Sequence, residues 1–356
     1  MRRSPRGFAI VLSALCLVVA ACGPGESQST AEAPSTSGTE TPPTSASGST
    51  TSTGAEELTE VTWRTGFGCN SWDAPYYLAK ELGFYEEAGL DVTIGCGEGS
   101  SSNVQLIATK SDTFAHVASS VLAPAIAEGA NVRMVANFLQ SAGDGIVTEP
   151  GIESVDQMAG KTFAGSEFSY VTRLISPTFE EAVGLEVGSI NIQSTNAQVQ
   201  LFVVGEVDMI PGQGWAEVPL LETQGVDFNF FPMADYGLDL IGPGITTHVD
   251  TLQEDPEMVA NFAAASARGW QYAYDNPEEA TDIMVELLPD IDEAVHRATI
   301  ESLMAHAHRP ATEGKNLGWM AESDWEDVVD LMVQLGILDG PLETDRLFTN
   351  VLPENP

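Results

Sequence analysis

The chain has 356 residues, room for one large domain or two of ordinary size, and 43% of them are hydrophobic, enough to bury a core. Lys and Arg number 14 against 52 Asp and Glu, a formal net charge of −38. Such a surface repels nucleic acid and anionic membrane, which excludes a DNA- or RNA-binding reading; with ordinary apolar content it fits a soluble domain from a salty milieu rather than a disordered chain.

The N-terminus explains itself first. Arg2, Arg3 and Arg6 make a basic start, residues 8–19 are an apolar run too short to span a bilayer comfortably, and Val19-Ala20-Ala21-Cys22-Gly23 follows. Small residues before a cysteine, directly after such a run, resemble the bacterial lipobox. The resemblance implies cleavage of residues 1–21 and lipidation of the Cys22 thiol; an ordinary secretory signal is the alternative. Residues 23–57 are almost all Ser, Thr, Gly, Pro, Ala and Glu with no aromatic, so they cannot bury enough apolar surface to fold and read as a flexible tether. Losing residues 1–21 removes three arginines and no acid, taking the net charge from −38 to −41.

Cys16 leaves with the leader and Cys22 carries lipid. Cys69 and Cys96 remain, an even pair in an oxidising compartment. They read as a disulfide, which in the chain-entropy model contributes roughly 3–4 kcal/mol. Two free thiols are the alternative; no His or further Cys stands at ligand spacing for a metal.

Along the folded part, residues 60–67 read as a strand and 68–74 as a loop. Pro75 suits the first turn of a helix carrying Tyr77, Leu78, Leu82 and Tyr85 at helical spacing, with Gly89 as its end. Residues 90–95 are a second strand, 97–103 a polar turn into a helix with Val104, Ile107 and Ala108 on its apolar face, 114–118 a third strand, 122–128 a helix and 132–138 a fourth strand. The pattern restarts with strands at 161–164, 189–192, 207–210 and 228–231 and a helix at 197–204, a second βα unit over 150–242. From residue 246 the chain reads as helical, with starts at Asp255-Pro256-Glu257 and Asn276-Pro277-Glu278. Alternating strands and helices predict an α/β architecture of doubly wound, mainly parallel sheets, whose ligands sit outside the C-terminal strand ends. Those ends are 67–73, 95–103 and 118–120, and Cys69 and Cys96 lie at two of them.

Several phrases now resemble one family. The most specific is Asp73-Ala74-Pro75-Tyr76-Tyr77-Leu78-Ala79-Lys80-Glu81-Leu82-Gly83-Phe84-Tyr85, continuing to Val92. It is similar to the opening of the ABC-transporter solute-binding proteins for the thiamine pyrimidine precursor, alkanesulfonates and taurine. Leu106-Ile107-Ala108-Thr109, Ile152-Glu153-Ser154-Val155, Gly205-Glu206-Val207-Asp208 and Asn276-Pro277-Glu278-Glu279-Ala280 follow in the family's order. The resemblance implies a periplasmic-binding-protein fold of two lobes with extra C-terminal helices: lobe 1 over 58–147 plus 245–356, lobe 2 over 148–244. The chain would cross near 144–147 and 241–245, where Gly143, Gly145, Gly242 and Gly244 suit a hinge. It further implies a monomeric receptor, lipid-anchored on the extracytoplasmic face of the cell membrane, that delivers a small molecule to an ABC permease and its ATPase. One departure stands out: relatives binding the pyrimidine precursor often carry His where this chain has Asp73, which leaves the ligand open.

The candidate ligand residues follow from these loops. Trp72, Asp73 and Tyr76 lie on the first strand-to-helix loop, where aromatics stack on a planar ligand and a carboxylate accepts from an amino group; a helix capped by Asp73 and packed by Tyr76 is the plainer reading. Ser101 and Ser119 precede helices, and either hold a polar ligand group or simply cap. Phe168 and Tyr170 occupy the matching place in the second unit. Trp215 and Glu217 follow a strand there, and the resemblance implies a ligand-contacting acid in that region. Asp235 and Tyr236 precede the second crossing. Of the cations between the expected leader and residue 245, Arg64, Lys80, Lys110, Arg133, Lys161 and Arg173, none falls on a predicted pocket loop. Acids without cations predict an aromatic or amine-bearing ligand, a pyrimidine precursor or a flavin, with alkanesulfonate, taurine or nitrate as the alternative.

No catalytic constellation is legible: there is no G-x-S-x-G, H-E-x-x-H, P-loop or G-x-G-x-x-G after a strand. The cysteine-rich iron motif of fold relatives that synthesise the thiamine pyrimidine is also missing. The sequence therefore predicts no enzyme, no cofactor and no metal; a secreted member of that synthase-like group is the alternative class.

Overall fold

The computed structural model describes residues 58–166 and 170–355. The expected leader over 1–21, Cys22, the tether to residue 57 and Phe168 lie outside the described residues, and Tyr170 enters only as the first residue of a helix. No helix among the described residues is long and apolar enough to cross a membrane.

In chain order, β1 (Thr59–Arg64) leads to the two-residue β2 (Phe67–Gly68), α1 (Ala74–Glu81), α2 (Phe84–Glu87), β3 (Leu90–Gly95) and β4 (Gly97–Glu98). Then come α3 (Ser100–Ala108), β5 (Phe114–Val117), α4 (Ser119–Ala127), β6 (Val132–Ala136) and β7 (Asp144–Thr148). The second βα series is β8 (Thr162–Gly165), α5 (Tyr170–Leu174), α6 (Glu180–Ala182), β9 (Asn191–Ser194), α7 (Gln198–Val203), β10 (Met209–Gln213), α8 (Glu217–Thr223) and β11 (Asn229–Pro232). It closes with β12 (Gly244–His248), α9 (Val249–Glu254), α10 (Pro256–Asp275), α11 (Pro277–Leu287), α12 (Glu293–Leu303) and α13 (Glu322–Gln334).

Two five-stranded sheets result, in the orders β3-β1-β5-β12-β6 and β11-β7-β10-β8-β9. β1 runs parallel to β3 and β5, and β8 parallel to β9 and β10. β12 is antiparallel to both its neighbours, and so is β7. Of the two segments expected as crossings, 144–147 lies in β7 and 244–245 in β12, both fully buried strands and each the antiparallel member of an otherwise parallel sheet. The glycines at these segments meet different local demands. A Cβ on Gly242 would stand 2.2 Å from the Leu139 carbonyl oxygen, so close approach rather than mobility requires glycine there; Gly143, at φ +65°, is the one in the left-handed region.

The first helix also departs from expectation. It breaks at Gly83, whose φ of +76° ends α1 one turn before the shorter α2. The long α10 forms as predicted: Asp255 caps it by accepting the Met258 N–H at 3.0 Å, and Met258, Val259, Phe262 and Trp270 turn one face inward. That face meets the first sheet. Phe262 stacks on Phe114 at 4.1 Å and on Tyr85 at 5.1 Å, while Trp270 stacks on Phe138 at 5.4 Å.

Candidate functional site

The C-terminal end of β1 is built as a braced loop. β2 and β4 pair across it, Cys69 and Cys96 are bonded with Cα atoms 4.8 Å apart, and the Gly97 N–H donates to Thr65 Oγ1 at 2.9 Å. A Cβ on Gly97 would lie 2.0 Å from the Thr65 carbonyl oxygen, so only glycine fits the hairpin. Asn103, in the first turn of α3, donates from Nδ2 to the carbonyls of Thr65 (2.8 Å) and His116 (2.9 Å), tying α3 to the ends of β1 and β5. At the tip Phe67 is 68% exposed, an aromatic beside the Gly99 turn that the sequence reading absorbed into its strand.

Asp73 stands at the N-cap position of α1, yet its side chain makes no capping bond. It turns inward, fully buried, with Oδ1 3.5 Å from His116 Nδ1; His116 Nε2 in turn donates to the Pro243 carbonyl at 3.2 Å. Burial pushes the Asp73 carboxyl above its ordinary range, and His116 opposes the shift. Tyr76 is also buried, its ring 4.2 Å from that of Trp63. Both residues are buried, and neither lines the large cleft described below. Trp72 remains half-buried and meets Trp215 edge to face at 5.7 Å. Trp215 is buried, donating from Nε1 to the Ala142 carbonyl at 2.9 Å beside the start of β7. Its neighbour Gly214 donates to the Gly143 carbonyl at 2.9 Å, and the His306 ring abuts both glycines.

Glu217, the first residue of α8, accepts the Gln213 N–H at 2.9 Å, a bond that turns its carboxylate back onto the end of β10. Burial raises its pKa and the Gln213 N–H opposes that. Asp235 is exposed on the turn after β11, and Tyr236 packs edge-on against Phe179 at 5.6 Å in the core of the second sheet.

An open cleft of about 1130 Å3 lies among the described residues. One wall is the side of α3 and α4, with Ser101, Gln105 and Ser120; the other is α5 and the turn after it, with Arg173 and Thr178; the end of α13, Gln334 to Ile337, closes one side. Ser101 lines it as the strand-end rule suggests. Ser119 does not: it is buried and donates to the Ile241 carbonyl, so the wall falls to its neighbour Ser120. Trp72, Trp215 and Glu217 are not part of this wall. Arg173 is on no predicted pocket loop, yet it lines the cleft from α5. Its place one turn into α5 follows from helical spacing, and no motif announced it.

Comparison with known proteins gives this arrangement a context. A riboflavin-binding protein, RibY, of Chloroflexus aurantiacus is 25% identical over 307 residues, covering 82% of this chain and 86% of the relative. A formylaminopyrimidine-binding protein of Halalkalibacterium halodurans is 24% identical over 292 residues, covering 77% and 85%. A protein of Legionella pneumophila named a 4-amino-5-hydroxymethyl-2-methylpyrimidine phosphate synthase is 22% identical over 308 residues, covering 83% and 93%. Among solved structures, the aliphatic sulphonate-binding protein SsuA of Escherichia coli superposes with a TM-score of 0.65 at 14% identity, covering 82% of this chain and 98% of that one; the likeness shows a periplasmic-binding-protein fold. The description "NMT1/THI5 like" matches residues 70–280, more than half of the length, and the chain belongs to that family.

Proposed function

We propose that this protein is the substrate-binding component of an ABC importer, a receptor without catalytic activity that captures a small heterocycle and presents it to a permease and its ATPase. The carrying observation is the open cleft of about 1130 Å3 between α3–α4 and α5, larger than a drug-sized ligand fills and so suited to closing around one. In this reading residues 58–147 plus 245–356 form one lobe and 148–244 the other, with β7 and β12 as the crossings about which they close. A lipid on Cys22 and the tether to residue 57 hold the receptor at the membrane.

The ligand class follows from the walls. Ser101, Gln105, Ser120, Thr178 and Gln334 offer neutral hydrogen-bonding groups, and Arg173 is offset by Glu128 and Glu181 on the same cleft. Such a lining suits a neutral ligand with amino, carbonyl or hydroxyl groups. Trp72 at the base of the loop supplies a ring for a planar group as the lobes close, with Trp215 behind it and the Asp73–His116 pair beneath. The names of the riboflavin- and formylaminopyrimidine-binding relatives support a flavin or an aminopyrimidine.

Arg173 favours a second reading. Across the cleft from Ser101 and Ser120, in the first turns of α3 and α4, it would complement a sulfonate. Calorimetric titration with riboflavin, formylaminopyrimidine and an alkanesulfonate decides. Binding of either heterocycle, weakened at least tenfold by Trp72→Ala, supports the first reading. Binding of the sulfonate alone, lost in Arg173→Gln, replaces it with the second. No binding of any, or conversion of a bound compound to a product, rejects the receptor reading.

A further inference from the structure

Basic side chains are scarce in this chain, 14 against 52 acids. Arg64, Lys110, Lys161, Arg268 and Arg309 each stand within 4 Å of a carboxylate. Arg133 and Arg346 form no ion pair among the described residues, and both line one small cavity of about 140 Å3. The remainder of its wall, Ile126, Gly129 to Val132 and Val249, contributes no carboxylate.

Both guanidinium groups are held in place. Arg133 lies on β6, with Nε buried and without a partner and Nη1 3.5 Å from Thr349 Oγ1. Arg346 donates from Nη2 to the Ile126 carbonyl at 3.0 Å, at the end of α4. The segment carrying Arg346 is docked on β6 by the Met134 N–H donating to the Leu347 carbonyl (3.0 Å) and the Thr349 N–H donating to the Met134 carbonyl (2.9 Å). Two like charges on one cavity repel unless something neutralises them. In a chain with nearly four acids for each base, no carboxylate among the described residues pairs with either of them. A guanidinium presents its donors in a fork that matches an oxyanion. The volume exceeds the roughly 30 Å3 that one water occupies in the liquid, leaving room for a tetrahedral ion.

We propose that this cavity binds a small oxyanion of phosphate or sulfate type, which pins the C-terminal segment 344–349 to β6 and the end of α4. The site is independent of the receptor reading. Gly129 and Ala130 line both cavities and separate it from the large cleft, so the test must tell the two apart.

Thermal unfolding of the whole purified protein is followed in sodium phosphate and in sodium chloride of matched ionic strength, which removes general screening of the net charge. At about ten times the dissociation constant, phosphate should raise the midpoint by roughly 2 °C over chloride. The rise should vanish in Arg133→Gln and in Arg346→Gln and persist in Arg173→Gln. Arg346 is exposed, so Arg346→Gln alone decides if the other cavity variant does not fold. No rise over chloride, or a rise that survives Arg346→Gln or disappears only in Arg173→Gln, overturns the proposal.

Discussion

Ser71 Oγ lies 2.9 Å from Nδ1 of His296, a residue 225 positions later in the chain. His296 is buried on α12, and its Nε2 faces the Leu288 carbonyl at 3.2 Å. A carbonyl only accepts, so Nε2 carries the proton, Nδ1 accepts, and the Ser71 hydroxyl donates. A neutral imidazole thereby anchors the residue next to Trp72, and the braced loop is held from both sides: by the disulfide toward α3 and by His296 toward α12.

Protonation of His296 should loosen that anchor. Burial lowers its pKa from 6.5, and the Leu288 carbonyl opposes the shift. The unfolded chain therefore takes up the proton first as pH falls, and the stability this residue contributes is present above about pH 6.5 and lost below it. Asp73 and Glu217, whose pKa values are raised by burial, slope the other way, as does relief of the net negative charge. The contribution must be read as a difference. The gap in melting temperature between the natural protein and His296→Gln should narrow from pH 7.5 to pH 5.5; a gap independent of pH would show that His296 does not titrate in this way.

Opening the Cys69–Cys96 bond, by reduction or by paired Cys→Ser changes, should cost roughly 3–4 kcal/mol for a closed loop of 27 residues. Urea unfolding measures the loss. Because the bond braces the hairpin of β2 and β4, reduction should also weaken binding of the heterocycle proposed as ligand, beyond the loss of stability. Unchanged affinity in a still-folded reduced protein would confine the bond to a stabilising role.

Gly97→Ala tests the same loop from the backbone. Its Cβ would collide with the Thr65 carbonyl, so the hairpin must open and the Gly97 N–H bond to Thr65 is lost. A destabilisation of about 2 kcal/mol or more is expected, with Gly151→Ala, which meets nothing within 4 Å, as the neutral control. Equal melting temperatures for the two variants would refute the close approach.

These cases show what the sequence carries. β3 and α10 were legible because alternation in Leu90-Asp91-Val92-Thr93-Ile94 and the Asp255-Pro256 start are local signals. β7 and β12 were not read as strands. Buried along their whole length, they show no alternation, and Gly145 and Gly244 weaken the strand signal further. The site was less legible than the fold. The loop 67–73 was found from its place after β1, but nothing local says that Asp73 turns inward to a histidine 43 residues away while Phe67 turns out. Arg173 came into the cleft, and Arg346 beside Arg133, through tertiary packing alone.

Trp215 separates two roles that the wild-type structure combines. Its indole fills the junction between Trp72 and the start of β7, and its N–H satisfies the buried Ala142 carbonyl. Trp215→Phe keeps most of the ring and removes the donor, so about 1–3 kcal/mol should be lost as the carbonyl goes unpaired. Trp215→Ala removes the packing as well and should cost about 3–5 kcal/mol. If Trp215 serves only as a buttress, Trp215→Phe should change ligand affinity less than threefold, whereas Trp72→Ala changes it tenfold or more. A tenfold loss in Trp215→Phe at unchanged stability would instead put Trp215 in direct contact with the ligand, moving the proposed binding pocket from the α3–α4 wall toward the start of β7.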